Sequence, residues 1–157
     1  MRLADLFPVE DVIVPFEPGD KWDAIRKLVA HLVDRGRIAR SEAPAIVDAV
    51  LARERSMSTG MEHGIAIPHA AVEGIDELVA VLALAPDGIP FEAVDRQPAR
   101  ILVGLVIPRH KKLLHIKTLA EVARLLARAE VRQRLLRCTD RGDVVATLAE
   151  LDGAASR

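Results

Sequence analysis

The chain is poor in aromatic residues, with three Phe, one Trp and no Tyr among its 157 residues. A surface that stacks single-stranded nucleic-acid bases needs several aromatic rings, so no such surface is expected. An excess of one charge is also lacking, because 22 Lys and Arg residues are balanced by 23 Asp and Glu residues, for a formal net charge of −1. This balance gives no reason to expect binding to nucleic acid or to a membrane surface.

Cysteine and long apolar stretches are scarce as well. Cys138 is the single cysteine, so an intramolecular disulfide is excluded, and with no histidine partner in its neighbourhood the thiol is expected to be inert. The longest aliphatic runs, at 78–85 and 101–107, fall far short of the roughly 18 apolar residues of a membrane-spanning helix. Residues 1–16 carry acidic side chains and no continuous apolar core, so no signal peptide is expected. The sequence therefore predicts a cytoplasmic protein.

Hydrophobic residues, in contrast, make up 50% of the chain, and 29% of the residues are charged. This length and composition predict a single globular domain over residues 1–152, followed by a flexible tail at 153–157. Helix and strand patterns alternate throughout, which predicts an α/β fold: a mixed β-sheet flanked by helices on both faces. In such sheets ligands bind at loops beyond the strand ends.

Apolar periodicity and turn residues place the individual elements. Strands are predicted at 12–14, at 78–85 before a Pro86-Asp87-Gly88 turn, and at 101–107. One helix is capped by Asp20 and ended by Gly36, and a second is capped by Ser41 and runs to 53–55. Further helices are predicted at 113–128, 131–137 and 143–151, the last capped by Asp140. The segment 58–70 is predicted to be a loop.

That loop, STGMEHGIAIPHA, carries the strongest chemical signal in the chain. Its hydroxyls and unhindered backbone N–H groups are suited to bind an anion, and they come from Ser58, Thr59, Gly60 and Gly64. Pro68 restricts the backbone just before His69. A histidine held in this way beside hydrogen-bond donors can carry a phosphoryl group or act as an acid or base near neutral pH. The alternative is a histidine that only completes a tight turn.

Two further residues are candidates for the same site. His115 lies early in the helix at 113–128, in line with its apolar stripe, so its ring points inward. At a helix N-terminus a neutral imidazole is favoured, and it could donate to a phosphoryl oxygen; a buried structural histidine is the alternative. Arg53 precedes the loop and could hold phosphate oxygens with its planar guanidinium, or it is a solvated charge in an Arg-Glu-Arg run.

The remaining histidines have weaker signals. His31 is expected to be a structural helix-end residue, and His63 and His110 are expected in exposed loops. The spacings His63–His69 and His110–His115 do not match the i, i+4 spacing of two metal ligands on a helix, so no metal and no other cofactor is expected. A hydrolase is also disfavoured, since the chain has neither G-x-S-x-G nor H-E-x-x-H.

Three segments in one order resemble the EIIA domains of the phosphoenolpyruvate-dependent phosphotransferase system. They are LARERSMSTGMEHGIAIPHA (51–70), FEAVDRQPARILVGLVIP (91–108) and HIKTLAEVARLL (115–126). The resemblance covers roughly residues 3–150 and is strongest to the fructose/mannitol class and its nitrogen-regulatory relatives. It implies the family's fold, a mixed sheet flanked by helices.

The resemblance also implies a role for each candidate. His69 would accept a phosphoryl group, on Nε2, from the histidine of HPr or an HPr-like carrier. His115 would hydrogen-bond beside it and help to hold the phosphoryl group, with Arg53 close by. Loop N–H groups, Ser58 and Thr59 could stabilise the transferred oxygens, and no metal or nucleotide is needed. The group would pass to an EIIB cysteine, or its presence would serve as a regulatory signal.

The chain departs from the family pattern at Ala70, where many members have Gly, and at Glu62-His63, which replaces a smaller or amide pair. These changes leave the chemistry intact and bear on the choice of carrier. A stand-alone chain of this length favours the nitrogen-regulatory branch. The competing hypothesis is an EIIA-like binding module that docks on a transporter or kinase without phosphorylation of His69.

Overall fold

A computed structural model describes residues 3–155 and shows a six-stranded mixed sheet with helices on both faces. The helices are α1 (Leu3–Leu6), α2 (Lys21–Asp34), α3 (Ala43–Ser56), α4 (Lys112–Leu126), α5 (Ala129–Leu136) and α6 (Arg141–Ala155). The strands are β1 (Val12–Ile13), β2 (Gly60–Met61), β3 (Ile65–Ala66), β4 (His69–Val72), β5 (Val79–Ile89) and β6 (Ala99–Pro108). The predicted α/β fold is confirmed. No helix in the described part of the chain is long and apolar enough to cross a bilayer.

The centre of the sheet is the antiparallel pair β5–β6, and β1 lies parallel to β5 on the outer side. The opposite edge of β6 pairs with two short strands in turn, both parallel to it. β3 pairs first, with Ile65 opposite Ile101, and β4 pairs further along, with His69 opposite Leu105. The chain therefore follows one edge of β6 with an interruption at Ile67-Pro68, and His69 is the first residue after the interruption.

Alternating side chains on the long strands feed two apolar cores, one on each side of the sheet. From β5, Val81 and Ala83 pack with α2 and α3, whereas Leu82 and Leu84 pack on the opposite side, where Val122 of α4 lies in the same core. Residues from α5 and α6 complete the second core. Because β5 and β6 are buried on both faces, their sequences are nearly continuous apolar runs.

Several predicted boundaries are confirmed by cap geometry. The backbone N–H of Asp23 donates to the Asp20 carboxylate (2.8 Å), and that of Asp143 donates to the Asp140 carboxylate (2.8 Å). Gly36 follows α2 in the left-handed region, with φ +73°. The two aspartates therefore make the N-cap hydrogen bond, and the glycine adopts the left-handed conformation, that these residue types favour.

Other boundaries were wrong. Ser41 does not cap α3, which begins after Glu42 without a side-chain cap. The predicted turn at 86–88 is part of β5, which absorbs it as a register shift between Leu84 and Ile89. Pro86 is tolerated because β1 pairs only at Leu82 and Ala83, so the edge beside Pro86 needs no donor.

The helical boundaries near the C-terminus differ too. The helix predicted over 113–128 ends at Leu126, and α5 occupies 129–136. The last helix runs to Ala155 rather than ending at 151. The predicted tail at 153–157 lies partly outside the described residues and stays a prediction.

The segment that precedes β1 is attached to α2 by a buried carboxylate. Asp11 is 2% exposed, and its Oδ2 accepts a hydrogen bond from Nε of Arg37 (3.0 Å). Nε2 of His31 lies 3.5 Å from the other carboxylate oxygen and donates to the carbonyl of Glu10 at 2.8 Å. His31 thus has the structural role predicted for it.

Candidate functional site

The strand β4 determines which way His69 points. Ala70 and Val72 pack into the core beneath α2 and α3, so by strand alternation the His69 side chain lies on the α4 side of the sheet. The backbone N–H of Leu105 in β6 donates to the carbonyl of Pro68 (3.1 Å), which fixes the chain immediately before His69. The loop predicted for this segment was therefore wrong: it contains β2, β3 and the start of β4.

A short hydrogen bond fixes the orientation of the His69 ring. Its Nδ1 lies 2.7 Å from the carbonyl oxygen of Ile67. A carbonyl oxygen only accepts, so Nδ1 carries the proton and Nε2 keeps its lone pair. The imidazole is thus held as the tautomer whose Nε2 is a nucleophile.

The ring of His115 is the nearest aromatic neighbour of His69. The two ring centroids are 5.7 Å apart and the planes meet at 72°, an edge-on arrangement. His115 lies on the same face of α4 as Leu119 and Ala123, which line the cavity beside His69. The inward orientation predicted for His115 is confirmed, and α4 brings this residue to the site from a distant part of the sequence.

The cavity beside His69 has a volume of about 210 Å³. It is lined by Arg53, Ser58, Thr59, Gly60, Met61, Ile67, His69, Leu119 and Ala123. Its residues come from the end of α3, from β2 and the segment before it, from the interruption before β4, and from α4. It is large enough for a phosphoryl group and closed on one side by the apolar side chains of α4.

The pKa of His69 is lowered below its ordinary value, chiefly because the ring is partly buried. The nearby positive charge of Arg53 and a charged His115 lower it further, while the bond to Ile67 and the charge of Glu54 oppose the shift. The ring is therefore neutral at neutral pH. A neutral imidazole with a free Nε2 is the form that attacks an electrophilic phosphorus.

Arg53 lies in the last turn of α3 and reaches the cavity. Its Nη1 donates to the carbonyl of Met57 (2.8 Å), which closes the chain over the end of the helix. This bond uses one of the five N–H donors of the guanidinium. The structure thus brings together Arg53, His69 and His115, the three residues that the sequence singled out.

The hydroxyls of Ser58 and Thr59 are directed at other protein groups. Ser58 Oγ donates to the carbonyl of Phe91 and accepts from the N–H of Gly60 (3.0 Å). Thr59 Oγ1 donates to the carboxylate of Glu54 (2.6 Å). Both hydroxyls therefore hold the segment that lines the cavity in place, because their protons are donated to protein groups.

The two glycines of the segment have different roles. A Cβ on Gly60 would lie 2.7 Å from the carbonyl oxygen of Phe91, so only glycine allows this close approach. Gly64 lies in the turn of the β2–β3 hairpin, with φ +75°, and does not line the cavity. The neighbouring His63 is exposed, and its N–H donates to Asp95 (2.8 Å).

Sequence reasoning missed Glu54 and Lys21, whose side chains lie against the back of the cavity wall. Glu54 follows Ile46 and Val50 at intervals of four residues, all three on the buried face of α3. That spacing is the signal that would have found a buried carboxylate. The exposure predicted for His110 is confirmed, and burial raises the pKa of the Cys138 thiol, as an inert cysteine requires.

Comparison with known proteins identifies one family. The family described as "Phosphoenolpyruvate-dependent sugar phosphotransferase system, EIIA 2" matches residues 5–151. The "PTS system fructose-specific EIIA component" of Haloferax volcanii is 32% identical over 149 residues, which are 95% of this chain and 96% of that protein. A "Nitrogen regulatory protein" of Pseudomonas aeruginosa is 32% identical over 118 residues, 75% of this chain and 76% of that protein.

A solved structure agrees in fold and in sequence. In the complex of enzyme IIA mannitol and phosphorylated enzyme IIB mannitol from Escherichia coli, one chain superposes with a TM-score of 0.77 at 26% identity. The match covers 92% of this chain and 99% of that chain.

Proposed function

Because the chain belongs to the EIIA 2 family of the phosphoenolpyruvate-dependent sugar phosphotransferase system, we propose that it carries a phosphoryl group on Nε2 of His69. The group comes from the phosphohistidine of HPr or an HPr-like carrier. It passes to an EIIB domain or acts as a regulatory signal. The partners are proteins of the cytoplasm, and we place this chain there with them.

The observation that carries the proposal is the bond between Nδ1 of His69 and the carbonyl of Ile67. It leaves Nε2 as the atom with a free lone pair, in a ring whose lowered pKa keeps it neutral. After transfer the ring carries positive charge, and the same carbonyl dipole stabilises it at Nδ1–H. One fixed contact thus serves both the acceptor and the phosphorylated state.

The transfer step conserves all atoms. The Nε2 lone pair attacks phosphorus, the new N–P bond forms, and the N–P bond of the carrier breaks with its electron pair returning to the carrier's imidazole. Such a transition state is loose, so the protein's contribution is mainly positioning and charge stabilisation.

Arg53 and His115 are the residues that we assign to the transferred oxygens. The guanidinium of Arg53 at the cavity wall offers charge and several donors to a phosphoryl group. The ring of His115, 5.7 Å from that of His69, is near enough for an N–H to meet a phosphoryl oxygen on Nε2. In this proposal, Ser58, Thr59 and Gly60 shape the cavity, and Gly64 forms the hairpin turn behind it.

Exposed apolar side chains next to the cavity support docking of a protein partner. Leu113 and Ile116 on α4 are 84% and 67% exposed, and Met57, which precedes the cavity segment, is 69% exposed. Such residues on the surface of a soluble domain mark interaction sites when they cluster. The solved relative pairs with a phosphorylated enzyme IIB, which supports EIIB as the acceptor.

Intact-mass spectrometry after incubation with phosphoenolpyruvate, Enzyme I and HPr tests the proposal. We expect one acid-labile phosphoryl group on the native chain and on the His110→Ala control, and none on His69→Ala. No gain from any HPr-like carrier would overturn the proposal and favour the binding module.

A further inference from the structure

A buried ion pair lies behind the cavity. Nζ of Lys21 in α2 is 3.1 Å from Oε1 of Glu54 in α3, and the two side chains are 5% and 0% exposed. Burial of two charges is costly, and a buried ion pair contributes little net stability compared with apolar side chains. Stabilisation of the fold therefore does not explain why this ion pair is present.

On the side that faces the cavity, both carboxylate oxygens of Glu54 accept hydrogen bonds from one residue. The carboxylate accepts hydrogen bonds from the backbone N–H of Thr59 (3.0 and 3.2 Å to its two oxygens) and from Thr59 Oγ1 (2.6 Å). Thr59 lines the cavity, so Glu54 fixes that wall from behind.

The contacts continue from Thr59 to the histidine itself. The carbonyl of Thr59 accepts from the backbone N–H of Ile67 (3.2 Å), and the carbonyl of Ile67 accepts from Nδ1 of His69 (2.7 Å). An unbroken series of hydrogen bonds thus links Lys21 and Glu54 to the ring of His69. Each bond fixes the group that makes the next.

The geometry points to Glu54 as a positioning residue for His69, acting through Thr59 and Ile67, with Lys21 as the counter-charge that holds the Glu54 carboxylate in place. This inference rests on the proposed function of His69. Glu54 makes no hydrogen bond to His69 and does not line the cavity, so it positions the ring through the residues that it holds.

Lys21 is itself held firmly enough for this role. Its Nζ lies 3.3 Å from Glu92 and over the rings of Trp22 (5.0 Å) and Phe91 (5.5 Å). The carbonyl of Phe91 accepts the Ser58 hydroxyl, so Lys21 contacts a residue that itself holds the segment lining the cavity. Lys21 Nζ also donates a charge-assisted hydrogen bond to Glu54 Oε1 (3.1 Å), which fixes the position of the carboxylate.

Variants with one charge removed test the inference. Glu54→Gln and Lys21→Met remove the two members of the pair, and Lys27→Met is the matched control. Lys27 lies on the same helix, α2, but its ion pair with Asp23 is at the surface, where Lys27 is 53% exposed. All variants are compared at a temperature at which circular dichroism shows them to be folded.

The first readout is phosphoryl transfer from phosphorylated HPr. For Glu54→Gln and Lys21→Met we expect the maximal rate to fall by roughly tenfold or more, because the nucleophile is less well held. The HPr concentration at half-maximal rate is expected to change by less than about twofold, since the docking surface is untouched. Lys27→Met is expected to match the native chain in both quantities.

The second readout is the tautomer of His69 in the unphosphorylated protein, from its ring ¹⁵N shifts. We expect the Nδ1–H fraction to fall in Glu54→Gln and to stay unchanged in Lys27→Met. If Glu54→Gln does not fold, Thr59→Val removes one of the bonds to Glu54 and is expected to show the same pattern to a smaller extent. A tautomer fraction and a maximal rate equal to those of Lys27→Met would overturn the inference.

The two readouts separate the possible failures. If the native chain accepts no phosphoryl group, the proposed function fails, and the tautomer still decides whether Glu54 positions His69. If the native chain is phosphorylated and the Glu54→Gln ring is unchanged, only the positioning role fails.

Discussion

His69 and Ile67, two residues apart, are joined by a 2.7 Å hydrogen bond from a ring nitrogen to a backbone carbonyl. The intervening Pro68 has a restricted φ, which makes this short loop stiff. The chain thereby selects the reactive nitrogen of His69 without a second side chain. The carbonyl cannot be removed by substitution, so the predictions address the groups around it.

The pH dependence of phosphoryl acceptance follows from the lowered pKa of His69. The nucleophile is the neutral ring, and burial keeps it neutral below the ordinary histidine pKa of 6.5. Acceptance from phosphorylated HPr is therefore expected to decline at acidic pH with a midpoint below pH 6.5. Direct titration of His69 by NMR checks this, and a pKa above 6.5 would contradict it.

The same shift predicts a dependence of stability on pH. The unfolded chain binds a proton at His69 at a higher pH than the folded chain does, so falling pH favours unfolding. The contribution of His69 is complete above its unfolded pKa of 6.5 and is lost as the pH falls through the lowered folded pKa. Urea unfolding of the native chain and His69→Gln between neutral and acidic pH checks this. We expect the native chain to lose stability more steeply, and equal slopes would show that His69 is not involved.

Removal of His115 is expected to slow phosphoryl transfer and leave the fold intact. His115→Ala deletes a potential donor next to Nε2, and the loss of one such donor costs about 100- to 1,000-fold in rate. Rapid-quench measurement of transfer from phosphorylated HPr checks this. His110→Ala, which changes an exposed histidine nearby, is the control and should transfer at the native rate.

Gly60→Ala is expected to damage the site through the backbone. The added methyl carbon would lie 2.7 Å from the carbonyl oxygen of Phe91, so one of the two segments has to move. Overpacking of this kind costs about 1–3 kcal/mol. Chemical denaturation gives the stability and HPr-dependent phosphorylation the activity; Gly19→Ala is the control, because its Cβ would meet only Asp23 at 3.7 Å. A Gly60→Ala protein as stable and active as this control would refute the close approach.

Asp11→Ala is expected to lower the free energy of unfolding by about 1–3 kcal/mol, since it removes a buried carboxylate and the hydrogen bond that it accepts from the charged Arg37. Asp11 is buried and bonded to Arg37, whereas the ion pair of Asp34 with Arg40 is exposed and 3.7 Å long. Asp34→Ala is therefore the control and should change stability by less than about 1 kcal/mol. Urea denaturation measures both, and equal effects would contradict the structural role of Asp11.

Local chemistry predicted the parts of the fold that depend on local contacts. The caps by Asp20 and Asp140 and the end of α2 at Gly36 need only neighbouring residues, and all three are confirmed. The strands β2, β3 and β4 were missed because two to four residues show no usable alternation. β3 and β4 exist because β6 offers an edge, which is a long-range contact, and β2 in turn pairs with β3.

The site divides in the same way. His69, His115 and Arg53 were identified by residue type and resemblance. That they lie close together depends on how α3 and α4 pack against the sheet. Ser58 and Thr59 were expected to offer hydroxyls to a ligand, and their protons are instead donated to Phe91 and Glu54. Sequence reveals the donors in a loop, whereas only the fold shows which acceptors already occupy them.

The most direct measurement is ¹H–¹⁵N–³¹P NMR of the chain labelled with ¹⁵N-histidine and phosphorylated through Enzyme I and HPr. We expect one phosphorus-coupled nitrogen, Nε2 of His69, with the proton retained on Nδ1. Coupling to Nδ1 of His69, or to a nitrogen of His115, would contradict it.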